Sequence, residues 1–94
     1  MDNVQDRSKQ IFDRIVLVVK NMLRSSEEEG ERKIPEMSGD TDIFNDLGID
    51  SVEMMDLMGL IEKEFNVTID TEQLAGKHTL GNIVQYVMKL LQRA

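Results

Sequence analysis

The sequence predicts an all-α domain, a four-helix bundle of three main helices and one short one. Three observations lead there. Apolar residues recur at helical spacing in three long stretches. The chain holds one proline, no tryptophan and only three Phe and one Tyr, where strands and their turns would draw on more of each. Its 94 residues, 40% of them apolar, suffice for one core and leave no length for a second domain with a cleft between the two. The span 1–94 is therefore expected to be a single domain.

The first helix is expected over about 5–24, where Ile11, Ile15, Val18, Val19 and Met22 form a stripe broadened by Phe12, Val16 and Leu23. The β-branched run Ile15 to Val19 would also suit a strand, but length and flanking periodicity favour a helix. An acidic loop follows over 25–50. Its first part, Ser25 to Gly39, contains two glycines and the sole proline and is expected to be mobile. Ile43, Phe44 and Leu47 should pin the second part to the core, because an apolar trio in a polar stretch is driven out of water. The second helix should start at Asp50 or Ser51, both good cap types, and run to about Phe65, where Asn66 supplies a stop. A connector with Val67 and Ile69 leads to a short third helix over about 71–76, closed by Gly76. Thr79 can cap the last helix, about 79–92, whose Leu80, Ile83, Val84, Val87, Leu90 and Leu91 repeat as one face.

Charge narrows the functional classes. Lys and Arg total 11 against 18 Asp and Glu, a net charge of −7. No nucleic-acid partner is expected from such a balance, and basic protein surfaces are the natural complement. Nine acids and two bases fall between Ser25 and Asp50, so this segment alone holds an acidic excess equal to that of the whole chain. With no cysteine, disulfides, cysteine metal sites and a cysteine nucleophile are excluded. The longest apolar run, Ile15 to Val19, is far short of the roughly 20 residues of a membrane span, and Met1-Asp2 does not open a signal peptide. A cytoplasmic monomer without membrane insertion is the expectation.

The second helix carries two apolar faces. Met54, Leu57, Met58, Ile61 and Phe65 cluster on one side and should meet the core. Val52, Met55 and Gly59 cluster opposite, among Asp56, Glu62 and Lys63. Scattered surface apolar residues are common. Flexible methionine beside carboxylates nevertheless makes a face suited to docking basic-rimmed partners.

The stretch Asp46-Leu47-Gly48-Ile49-Asp50-Ser51, followed by the amphipathic helix ending Glu62-Lys63-Glu64-Phe65 and, further on, by Tyr86 and Val87, resembles the acyl carrier protein family. The likeness is close over about half the chain and extends to nearly all of it in helix layout. It implies that Ser51 bears 4′-phosphopantetheine, attached from coenzyme A by a separate phosphopantetheinyl transferase. It implies too that Asp50 and Gly48 frame the attachment site, and that the carrier is not an enzyme. The partners so implied are acyl-loading, synthase and modifying enzymes of fatty-acid or polyketide type with basic docking patches. Val52, Glu53, Met55, Asp56 and Gly59 would form the partner-binding face. An aminoacyl or peptidyl carrier is the alternative within this family, although Asp rather than His before Ser51 favours acyl cargo. An unmodified acidic adaptor is the alternative outside it.

Other roles for these residues are weaker on chemical grounds. As a nucleophile Ser51 would need a base, and the sole histidine, His78, sits in no recognisable triad motif. As a plain N-cap it would stabilise the helix by about 1 kcal/mol. Asp40, Asp42 and Asp46 invite comparison with a calcium-binding loop, but Asn45 stands where glycine is needed and Ser51 where a bidentate Glu should be. No metal site is expected.

Overall fold

The computed structural model describes residues 4–25 and 36–93. It contains three α-helices, α1 (Val4–Ser25), α2 (Ser51–Phe65) and α3 (Leu80–Arg93), with a four-residue 3-10 helix at Thr71–Leu74. The described residues include no strand, and one isolated antiparallel bridge joins Asp42 to Thr79. Helix bounds lie within one residue of the sequence-based expectations, except at the short third element. There the expected 71–76 helix is a single 3-10 turn followed by Gly76 at φ +75°, since Asp70 caps it and Ala75 already leaves helical geometry. The mobile loop expected from Ser25 falls mostly on residues 26–35, outside the described residues.

Helix α1 packs against both α2 and α3. Ile11, Ile15, Val19 and Leu23 of α1 are buried against Leu57, Met58, Ile61 and Phe65 of α2 and Leu80, Ile83, Val84, Val87 and Met88 of α3 in one core. This i, i+4 line is the centre of the α1 stripe. Val18 and Met22, expected at its heart, are only partly buried and flank it.

The described part of the acidic segment before α2, from Glu36 onward, packs into the core through its apolar residues. Ile43, Leu47 and Ile49 are buried, and Phe44 is half-buried. Ile43 N–H donates to the His78 carbonyl at 2.9 Å, while Leu80 N–H donates to the Thr41 carbonyl at 3.0 Å. Gly81 N–H reaches Gly39 O at 2.9 Å, and a Cβ on Gly81 would stand 2.9 Å from that same oxygen, so the close crossing of loop and α3 requires glycine. These main-chain bonds hang the segment on the start of α3 and thereby fix where α2 begins.

Candidate functional site

Helix α2 starts with a capping box. Glu53 N–H donates to Asp50 Oδ1 at 2.8 Å, and Asp50 N–H donates to Glu53 Oε1 at 3.2 Å. Asp50 is thus the N-cap and Ser51 the first helical residue. Ser51 is exposed, and among the described residues no group is hydrogen-bonded to its hydroxyl. The N–H groups of Ser51 and Val52 lie at the positive end of the helix, too early to find intrahelical acceptors. A serine in that position presents a free hydroxyl beside donors that favour an attached phosphate.

Gly48 turns the chain into this start. Its φ is +68°, in the left-handed region that favours glycine, and nothing within 4 Å would meet a Cβ there. Its role is therefore conformational, and the space beside it is open. Ile49, behind it, is buried and donates its N–H to the Ile43 carbonyl at 3.2 Å. Between them the two residues hold Asp50 and Ser51 out from the core.

Beyond Ser51, Val52 and Met55 are 71% and 70% exposed and Asp56 is also at the surface. Gly59 continues this stripe as a notch with nothing within 4 Å of where a Cβ would stand. Leu60, 39% exposed, widens the apolar surface and was not among the expected residues. Glu53 is half-buried in the capping box, which already occupies its carboxylate. Glu62, expected on the outer face, is half-buried and accepts Ile69 N–H at 2.7 Å, pinning the connector after the helix.

The acids upstream of α2 serve turns. Asp42 Oδ1 accepts the N–H groups of Phe44 and Asn45 at 2.9 Å each, and Asp46 Oδ2 accepts Asp42 N–H at 2.8 Å. Among the described residues no group of three His, Asp or Glu side chains is arranged to hold a metal ion.

A cavity of about 170 Å³ lies beside this end of α2, lined mainly by Phe44, Met54, Met55, Met58 and Leu74, with Thr71 and His78 as its polar members. Met54 and Met55 stand three and four residues after Ser51, one turn along the same side of the helix. Two larger clefts, of about 470 and 460 Å³, open elsewhere and include no residue of α2. Of these three, the smaller one alone is lined by α2 residues, Met54, Met55 and Met58. His78 is half-buried with its ring edge-on to Phe44, centroids 4.5 Å apart. Thr79 does the capping, its Oγ1 accepting Asn82 N–H at 3.2 Å.

The family model described as the phosphopantetheine attachment site matches residues 26–87. The acyl carrier protein of Saccharopolyspora erythraea is 28% identical over 85 residues, spanning 90% of this chain and 82% of that one. That of Thermotoga maritima is 29% identical over 83 residues, spanning 88% and 94%. That of Porphyromonas gingivalis is 37% identical over 57 residues, spanning 61% and 73%. A family match over most of the chain, together with these relatives, agrees with a helical fold that presents a free serine at a helix start, and the chain belongs to the acyl carrier protein family, whose prosthetic group is 4′-phosphopantetheine.

Proposed function

We propose that Ser51 is the attachment residue and that this carrier serves fatty-acid or polyketide-type enzymes. One observation carries the assignment. Asp50 takes the capping role that Ser51 would otherwise fill, leaving an exposed hydroxyl with no bond to any of the described residues at the positive end of α2. The terminal thiol of the bound group supplies the chemistry, holding an acyl chain as a thioester. The chain's own residues do the rest. Ser51 anchors the phosphate, and the free N–H groups of Ser51 and Val52 favour its charge. Gly48 and Asp50 set the turn and the cap that keep this corner exposed. The apolar cavity against α2 is suited to shelter part of a short acyl chain.

In this reading the molecule is a carrier rather than a catalyst, a single domain over 1–94 whose 3-10 element stands as the short fourth helix of the bundle. It works as a monomer in the cytoplasm, and among the described residues no helix is long and apolar enough to cross a membrane. The docking face is the exposed stripe Val52, Met55, Asp56 and Gly59, with Glu53 steadying the helix start beneath it. The transferase and the acyl-handling enzymes are its partners, steered by basic patches toward the acidic surface.

The test is intact-mass spectrometry after incubation with coenzyme A, Mg²⁺ and a broad-specificity phosphopantetheinyl transferase. The wild type should gain one phosphopantetheinyl increment and Ser51→Ala none, with identical far-UV circular dichroism. A modified Ser51→Ala chain would move the attachment to another residue. A folded wild type that takes no increment would make Ser51 an ordinary helix residue of an acidic adaptor.

A further inference from the structure

The cavity against Met54, Met55 and Met58 of α2 has a wall that a plain hydrocarbon would not choose. His78 and Thr71 face it together with Phe44, Met54, Met58 and Leu74. The His78 ring is steadied edge-on to Phe44 at 77°, and its main-chain carbonyl accepts Ile43 N–H, so both ring and backbone are held in place. Yet among the described residues nothing bonds either ring nitrogen, and neither is sealed from solvent without a partner. The imidazole therefore stands in an apolar wall with its donor and acceptor capacity still available.

Resting on the reading of Ser51 above, we infer that His78 selects the cargo, so that the cavity prefers short acyl groups bearing a hydrogen-bonding oxygen, such as an oxo or hydroxyl group, over plain saturated chains. A hydrocarbon chain filling the space displaces water from the imidazole nitrogens and gives nothing back, which leaves polar groups unpaired. A cargo oxygen replaces the lost water. A ring N–H can donate to the oxygen of an oxo group or of a hydroxyl. Met54 and Met58, unbranched and adaptable, let the rest of the wall close around chains of differing shape.

The experiment first loads the protein from coenzyme A thioesters with hexanoyl, 3-hydroxyhexanoyl or 3-oxohexanoyl cargo and confirms each by intact mass. It then reads the His78 imidazole ¹H–¹⁵N signals and the rate of thioester cleavage by hydroxylamine, normalised to the same thioester on free pantetheine. Oxygenated cargo should shift the His78 signals and be protected roughly fivefold better than hexanoyl, a ratio expected of one hydrogen bond. His78→Leu should abolish that preference while sheltering hexanoyl as well or better, and His78→Asn should restore part of it. Imidazole signals indifferent to the cargo oxygen, or an unchanged preference in His78→Leu, would overturn the inference. Should His78→Leu not fold, the wild-type spectra decide alone. A chain that takes no arm at the loading step overturns the reading of Ser51, and the inference with it; a loaded chain without the preference overturns the inference only.

Discussion

The two ends of α2 are held by different means. At the C-terminal end, Arg14 of α1 donates through Nε and Nη2 to Glu64 Oε2 at 2.9 and 2.7 Å, and lies 4.9 Å from the centroid of the Phe65 ring. Asn66 then closes the helix in the left-handed region at φ 57°, its N–H returning to the Glu62 carbonyl, while the Glu62 carboxylate takes up Ile69 N–H. Those contacts tie the end to a helix 50 residues away and to the following connector. The N-terminal end is capped from its own vicinity, by the Asp50 and Glu53 box, while the segment before it is bonded to the start of α3. A helix anchored at one end and self-capped at the other can offer the capped end to a large partner without giving up its place in the core. The presentation of Ser51 follows from that asymmetry.

The largest loss is expected at the anchored end. Phe65→Ala removes a buried ring together with the surface on which Arg14 rests, and should cost about 3 kcal/mol or more in urea unfolding. A loss below about 1 kcal/mol would show that the anchor lies elsewhere. At the other end, Asp50→Ala should cost about 1 kcal/mol, the usual value of a lost N-cap. Native-state hydrogen exchange sharpens this: amides of Glu53 and Met54 should exchange faster, while those of Ile61 to Phe65 keep their protection. Equal loss at both ends would mean that the box stabilises the whole helix rather than its start. Arg14→Met should have the smallest effect, about 0.5 kcal/mol, because the ion pair is half exposed to solvent and methionine retains part of the packing on Phe65. A penalty several times larger would give the Arg14 pair a weight its exposure does not suggest.

Much of the local geometry of the candidate site is legible in the sequence, for local reasons. Asp50 and Glu53 form their box within four residues, Gly48 is needed for one backbone angle, and the exposure of Val52 and Met55 follows from 3.6-residue periodicity once the opposite face is buried. The misreadings share a cause. Glu62 falls among the outward residues of α2 in sequence, yet its carboxylate accepts Ile69 N–H. The ring contact of His78 is with Phe44, 34 positions earlier, beyond the reach of sequence periodicity. Leu60 falls between the inward and outward stripes, so periodicity alone leaves it unassigned.

By itself the sequence determined that the chain is helical, where each long helix begins and ends, which face of α2 is buried and which serine stands at its start. All of these follow from contacts within a few turns, through caps, glycine conformations and hydrophobic spacing. Tertiary structure alone decided that the third element is one 3-10 turn, that several acids act as caps and pins, that Arg14 clamps Glu64, and that His78 and Thr71 share a cavity with the methionines of α2. The meetings of Arg14 with Glu64 and of His78 with Phe44 span 50 and 34 positions, and local propensity carries no record of such meetings.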